Sequence, residues 1–220
     1  GINFQKGGHN AFVSFSVANR EPNRDNFTEA GRDERPQHET LYDYEAGYGF
    51  GNSRFHVGAN LYFMDYSNQL ILTGKISEIG EALTSNIKDS YRMGIELTGG
   101  VEIARWLDWS GNLTLSRNKI KNFIESIEVY DADWNFLRED HNDLGTTDIA
   151  FSPDIIANSM FNFSWKQFSA SFNSQFVGRQ YIDNTSCKDR SIDPYFVSNL
   201  RVGYVFKPKF MKEIALDVTI

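Results

Sequence analysis

The stretch FSASFNSQFVGRQ at residues 168–180 alternates apolar and polar side chains with a period of two. Phe168, Phe172 and Phe176 fall on even positions, whereas most odd positions carry serine, asparagine or glutamine. The pattern predicts a β-strand with one apolar and one polar face. In a water-soluble protein the phenylalanines would point into a core. In a membrane barrel they would point at lipid, and the polar face would line a lumen.

Composition restricts the class of protein. The chain has 220 residues, of which 15% are aromatic, and aromatic residues favour strands. It lacks the run of about 18 apolar residues that a transmembrane helix needs. The net charge of -7 argues against a nucleic acid partner, because phosphate binding needs clustered lysine and arginine. Cys187 is the single cysteine, so an internal disulfide is excluded, and we expect it to be a spectator.

The same alternation recurs along the whole chain, without a helical period of 3.6 residues. It predicts about ten strands, most of them about 12 or 13 residues long, against about 5 or 6 in soluble proteins. Short strands are expected at 2–4 and 214–220, and longer ones at 11–19, 39–50, 54–66, 90–103, 106–119, 153–165, 168–180 and 194–206.

The connections between these strands alternate in length. Short turns are expected at 6–9, 51–53, 104–105, 166–167 and 207–212. Long loops are expected at 20–38, 67–88, 120–152 and 181–193. In an antiparallel sheet all short turns then lie at one end and all long loops at the other, as in outer-membrane barrels. Aromatic residues flank both ends, which favours interfacial girdles.

Several segments resemble TonB-dependent outer-membrane receptors of the kind found in Bacteroidetes, in the C-terminal half of the barrel. These are VSFSVANREPNRDNF (13–27), NSRFHVGANLYFMDYSNQLILTGKI (52–76), SNIKDSYRMGIEL (85–97), LTLSRNKI (113–120), AFSPDIIANSMF (150–161), QFVGRQYIDNTS (175–186) and LRVGYVF (200–206). The resemblance implies an all-β, antiparallel up-and-down transmembrane β-barrel segment, about ten of 22 strands, with short periplasmic turns and long extracellular loops. Residues 1–220 would be a partial barrel domain, without the plug domain and the C-terminal closing strands.

The resemblance also implies a function. The expected role is an active-transport receptor of the Gram-negative outer membrane that imports a scarce ligand, by default a ferric siderophore or similar iron chelate. Its partners would be outer-membrane lipid, its own plug, the TonB protein and the nutrient ligand, with no cofactor. A receptor for glycan or another large nutrient stays open, as does a soluble β-sandwich that binds carbohydrate. A barrel lipase or protease finds no support, because no serine and histidine share a recognisable context.

Candidate binding residues fall into two groups. Charged and aromatic side chains in the expected long loops could meet a ligand: Arg20, Arg24, Tyr130, Trp134, Arg138, Tyr181 and Arg190. Polar-face residues of the strands could line a lumen: Arg54, His56, Arg92, Glu96, Asp108 and Arg201.

A metal site has little support in the sequence. Asp131, Asp133 and Asn135 match the first positions of a calcium loop, but Phe136 replaces the glycine at the sixth position and Asn142 the glutamate at the twelfth. A looser calcium site on this loop is a weak candidate. The four histidines are too far apart in sequence to suggest a metal site.

Overall fold

The computed structural model describes residues 1–29, 35–76 and 82–220. Its strands are β1 (Ile2–Lys6), β2 (His9–Arg20), β3 (Glu39–Gly51), β4 (Phe55–Ile76), β5 (Ala82–Ala104), β6 (Leu107–Tyr130), β7 (Phe136–Asp148), β8 (Ile155–Trp165), β9 (Phe168–Val177), β10 (Gln180–Tyr181), β11 (Ser191–Ile192), β12 (Tyr195–Phe206) and β13 (Ile214–Thr219). A short helix α1 (Arg24–Glu29) follows β2, and a 3-10 turn (Lys188–Arg190) precedes β11. None of the described helices has the length and apolar character to cross a membrane.

Eleven strands form one antiparallel sheet in the order β1-β2-β3-β4-β5-β6-β8-β9-β12-β13, with β7 paired to β6 beside this path. The register places apolar residues opposite one another across neighbouring strands. One such row runs through Val13, Ala46, Leu61, Ile95 and Leu115. Because side chains alternate between faces, the next row along carries the polar residues. The predicted all-β antiparallel sheet is confirmed.

Connections at one end of the sheet are short, as expected. The turn between β1 and β2 places Gly7 and Gly8 at φ 58° and 84°, which the tight two-residue hairpin requires. A Cβ at Gly8 would lie 2.4 Å from the carbonyl oxygen of Gly51, so this position also accepts no larger side chain without a shift. Phe50 and Phe55 contact each other near this end with tilted rings, whose centroids are 5.6 Å apart.

Two of the predicted long loops are wrong. Most of 67–88 belongs to strands, because β4 runs to Ile76 and β5 begins at Ala82. Most of 120–152 is a hairpin, because β6 runs to Tyr130 and pairs with β7. The distal part of β4 has successive buried residues such as Leu70 and Ile71, whereas the β6–β7 hairpin is largely exposed, so neither keeps the apolar and polar alternation on which the prediction rested.

Fully buried residues lie at the long-loop end of the sheet. Ile71, Ile120 and Ile149 form a small core there, and Ile87 and Phe123 pack against it. The apolar face of the sheet proper stays uncovered: Leu61 and Phe172, for example, are exposed. The sheet therefore has an apolar outer surface and a separate core above its polar face.

Candidate ligand-binding site

Three segments meet at the long-loop end and form what we call the roof. They are the distal part of β4 (residues 69–72), the β7–β8 connection (149–154) and the β9–β12 connection (178–194). The backbone N–H of Phe151 donates to the carbonyl oxygen of Tyr181 at 2.8 Å, which joins two of these segments directly. The roof thus brings together residues far apart in sequence.

Asn184 links all three roof segments. Its side chain is 1% exposed. Its Oδ1 accepts the backbone N–H of Ala150 at 2.8 Å, and its Nδ2 donates to the carbonyl oxygen of Leu72 at 2.6 Å. Ala150 is buried, so Asn184 satisfies a backbone N–H that would otherwise lack a partner, and its bond to Leu72 fixes the β9–β12 connection against β4.

Charged side chains hold the outer part of the same connection. Ser186 Oγ donates to the Asp148 carboxylate at 2.8 Å and accepts the Asp148 backbone N–H at 2.7 Å. Arg190 pairs with Glu125 at 3.1 Å and with Asp183 at 2.8 Å. The hydrogen bond to Glu125 raises the pKa of Arg190, so this guanidinium stays charged at any physiological pH.

A cavity of about 330 Å³, the upper chamber, lies beneath the roof. Its wall mixes charged, amide and apolar side chains, and one aromatic ring. The lining residues are Arg20, Glu39, Tyr66, Gln69, Leu70, Ile71, Leu72, Arg92, Ile149, Ala150 and Asn184. The aromatic ring belongs to Tyr66 of β4.

Arg20 and Glu39 in this wall are already committed to structural contacts. Their side chains pair at 3.4 Å. Arg20 donates to the carbonyl oxygen of Leu70 at 3.0 Å, and the Glu39 carboxylate accepts the Leu70 backbone N–H at 2.8 Å. Together they bind both backbone polar groups of Leu70 in β4, and the charge of Arg20 is largely compensated by Glu39 within the wall.

Arg92 is in a different electrostatic situation. Its Nη1 lies 3.0 Å from Ser152 Oγ and 3.4 Å from Asn118 Oδ1, both neutral acceptors. None of the ion pairs found within the described residues includes it. A half-buried guanidinium that lacks a carboxylate partner attracts an anionic group, preferably a planar one that can accept two hydrogen bonds.

Arg92 also borders a second cavity, the lower chamber, of about 360 Å³. Glu45, Asn60, Glu96 and Ser116 belong to its polar wall, and Phe151 and Pro153 close it from the roof side. Asn60 Oδ1 is buried without a hydrogen-bond partner. Arg92 therefore lies between two polar spaces on the inner face of the sheet.

The structure separates the predicted loop residues. Arg20 lines the upper chamber, and Tyr181 and Arg190 hold the roof. Arg24 begins α1. Tyr130, Trp134 and Arg138 lie on the β6–β7 hairpin and line neither chamber.

The predicted lumen-facing residues also fall into separate places. Arg54, His56 and Asp108 border a cavity of about 280 Å³ near the short turns. Arg201 pairs with Asp217 at 3.0 Å. Only Arg92 and Glu96 of this group line a chamber near the roof.

The weak calcium candidate is a turn held by its own hydrogen bonds. Asp131 accepts the backbone N–H groups of Asn135 and Asp133 at 2.8 and 2.9 Å, and the Asn135 side chain at 3.0 Å. The hydrogen bonds from Asn135 lower the pKa of Asp131. Across the three described ranges no cluster of histidine, cysteine, aspartate or glutamate could hold a metal ion.

Sequence reasoning missed Asn184, Gln69 and Ser90 as parts of the site. Ser90 is fully buried and donates to the Gln69 amide oxygen at 2.7 Å. All three are small or amide side chains whose partners lie on distant segments of the chain. The sequence offers little to distinguish them from exposed polar residues.

Comparison with known proteins agrees with this architecture. The profile of the family described as TonB dependent receptor-like, beta-barrel, matches residues 2–219. No curated protein sequence matches the chain significantly.

Solved structures share the fold at low identity. The ferric yersiniabactin uptake receptor FyuA from Yersinia pestis superimposes with a TM-score of 0.65 at 15% identity, over 96% of this chain and 29% of that one. The copper transporter OprC gives 0.64 at 14%, over 92% and 30%. A mutant of the ferric enterobactin receptor of Pseudomonas aeruginosa gives 0.61 at 16%, over 97% and 32%. The chain thus spans about a third of these chains.

Proposed function

Because the chain belongs to the TonB dependent receptor-like β-barrel family, we propose that it is part of a receptor that imports a ferric siderophore or similar iron chelate, energised through TonB. Its place is the Gram-negative outer membrane, so the apolar face of the sheet contacts lipid and the long-loop end faces outward. The receptor would act by binding and gated movement, without covalent chemistry, as a Bacteroidetes-type member of the family.

The observation that carries this proposal is Arg92 beneath the roof. It is a charged donor on the inner face, between two chambers, without a carboxylate partner among the described residues. Iron chelators commonly present oxygen anions, and a guanidinium binds such groups through charge-assisted hydrogen bonds. The names of the structural neighbours, which include ferric chelate receptors, support the same ligand class.

The whole receptor would supply the other components. Its plug domain would fill the space inside the barrel, and the TonB protein would pull on it from the periplasm. The ligand would first meet the roof and then the chambers, because these lie on the path from the outer surface to the polar face of the sheet. Opening the roof requires release of the contacts of Asn184 and Arg190.

The test measures binding and uptake of a radiolabelled ferric siderophore by cells that carry the full-length receptor. Arg92→Ala should weaken binding roughly tenfold or more, because hydrogen bonds to charged groups contribute about 1.5–3 kcal/mol. Arg92→Lys should restore part of the affinity, since it keeps the charge but not the planar fork. Arg201→Ala is the matched control, because Arg201 is paired with Asp217 away from the chambers.

Two other results would contradict the proposal of iron-chelate import. In the first, cells import no ferric chelate but depend on the receptor for growth on a glycan or another large nutrient. In that case the ligand is not an iron chelate but belongs to this alternative class. Recovery of the full-length protein from the soluble fraction would instead favour a carbohydrate-binding sandwich.

A further inference from the structure

The β6–β7 hairpin, residues 123–148, projects from the sheet as a two-stranded ribbon; we call it the distal hairpin. The pairing of β5 with β6 ends at Ser90 and Ile120, and the pairing of β6 with β8 ends at Leu115 and Ile155. In the described part of the chain β7 pairs with β6 alone. Both edges of the ribbon are therefore open, and a lone two-stranded ribbon is only marginally stable in water.

Contacts with the rest of the protein are confined to its base. Asp148 pairs with Lys119, and Glu125 pairs with Arg190 of the roof. Between residues 126 and 143, the side-chain hydrogen bonds and ion pairs that the described structure contains all stay within the hairpin. One of these joins Arg138 to Asp140 at 2.9 Å. The outer part thus stands free of the roof.

Large aromatic side chains crowd the tip of the distal hairpin. Tyr130 lies between Trp134 and Phe136, with ring centroids 6.2 and 6.0 Å away. Trp134 is 83% exposed, and Phe136 is 59% exposed. Tryptophan and tyrosine exposed together on a projecting element are typical anchors of protein interfaces, because each buries a large apolar area when it enters a pocket.

The net charge of the chain is concentrated in the distal hairpin. Residues 123–148 contain eight aspartates and glutamates and one arginine, a net charge of -7. The whole chain also has -7, so the remaining residues sum to zero. Glu128 and Glu139 are direct cross-strand partners, an arrangement that destabilises an isolated ribbon because like charges face each other. A cationic surface laid against this face would relieve that repulsion.

We propose that the distal hairpin docks a partner protein at the cell surface, through a basic surface that surrounds an apolar socket for Tyr130 and Trp134. The tip projects rather than forming a cleft, so only a partner larger than a small molecule covers it. Anionic lipid headgroups and a second copy of the hairpin both repel its charge. Charge complementarity therefore selects a basic protein.

The experiment places the photo-crosslinking amino acid p-benzoylphenylalanine at position 134 of the full-length receptor in its native host. Irradiation of intact cells should give one protein adduct, and mass spectrometry should show that the crosslinked surface of that protein is basic. The adduct should fall about tenfold in 0.5 M NaCl. A probe at Asp193, whose side chain is 82% exposed on the neighbouring connection, is the matched control and should not give it.

A paired variant separates docking from folding of the distal hairpin. Glu128→Gln with Glu139→Gln removes the like-charge contact, so the hairpin should become more resistant to proteolysis. The same variant should lower the adduct several-fold, because two attractive charges are lost. If the two glutamates affected only the stability of the hairpin, the amount of adduct would stay the same or increase.

Several outcomes would overturn the proposal: an adduct with lipopolysaccharide, with a second receptor copy or with an acidic surface, or no adduct in cells that display the receptor. An adduct that the Gln variants leave unchanged would do the same. Ferric chelate uptake is measured separately on the Arg92 variants, so failure here leaves the import proposal standing.

Discussion

Ile120 and Phe172 are both apolar residues of one sheet, but they lie in regions that are stabilised in different ways. Ile120 is 0% exposed in the core of the roof, whereas 44% of Phe172 is exposed on the apolar face of the sheet. In the roof, protein atoms surround the apolar side chains and fix them by packing. On the sheet, lipid takes that place, so the apolar face needs only the correct polarity.

The two regions also differ in how completely their buried polar groups are hydrogen-bonded. Asn184 in the roof, and Ser90 and Asn118 on the strands beneath it, are buried and hydrogen-bonded to particular partners. On the inner face of the sheet, Asp43 and Asn60 each leave one side-chain oxygen buried without a partner. Thr147 Oγ1, opposite Ile120 at the long-loop end, is the third such oxygen among the described residues, so the polar groups there are more completely satisfied than those of the inner face, though not entirely.

The largest expected effect comes from opening the core of the roof. Ile120→Ala should lower the free energy of opening this region by about 2–5 kcal/mol, because it leaves a cavity among Ile71 and Ile149. Hydrogen exchange of the roof amides in the full receptor measures the change. Ile127→Ala on the exposed hairpin is the control and should leave these amides protected. Equal effects would show that the roof has no core of its own.

Charge on the lipid face should have the next largest effect. Phe172→Arg should cost about 2–4 kcal/mol if residue 172 lies near the bilayer midplane, whereas Asn173→Arg on the opposite face should be tolerated. Equilibrium folding of the full receptor into lipid vesicles gives both values. The reverse ranking, repeated on a second strand, would place the apolar face away from lipid.

Loss of the Asn184 side chain tests how the roof is closed. Asn184→Ala leaves the Ala150 N–H and the Leu72 carbonyl without their partner, at a cost of about 1–3 kcal/mol. Trypsin should then cleave faster at Lys188 and Arg190 on intact cells. Asn142→Ala, at an exposed position, is the control. Unchanged cleavage would mean that the ion pairs of Arg190 alone hold this connection.

The smallest effect concerns the tip of the distal hairpin at acid pH. The hydrogen bonds from Asn135 depress the pKa of Asp131 in the folded state, so they stabilise the turn above the unfolded pKa of about 3.9. This stabilisation should disappear as the pH falls through the folded pKa. The fluorescence of Trp134, taken as the difference from Trp134→Phe, should stay constant from neutral pH to about 4 and change below it. A transition near pH 6 would contradict this assignment.

Alternation along each strand could be read from the sequence because lipid and water impose opposite polarity on the two faces. The prediction at 168–180 placed Phe168 to Phe176 on one face, and the register with β8 and β12 supports it. Val177, which fits the pattern less well, is buried at the start of the roof. The pattern weakens where the environment of the strand changes.

The candidate site was less predictable. Arg20 was predicted in a loop and Arg92 on the polar face of a strand, but both line the upper chamber. Only the structure shows that Glu39 and the Leu70 carbonyl already engage Arg20, while Arg92 contacts neutral groups. Whether an arginine side chain is free to bind a ligand depends on the residues that neighbouring strands place beside it. The sequence does not give the distances between those side chains.

Sequence by itself determined the strand segments of the sheet proper, their two faces and the end at which the turns are short, because these follow from local periodicity and turn chemistry. Tertiary structure decided that 120–148 forms a hairpin and that Asn184 joins segments 34 and 112 residues away. The physical reason is one of range. Alternation acts between neighbours in the chain, whereas the roof is held by hydrogen bonds and packing between distant residues.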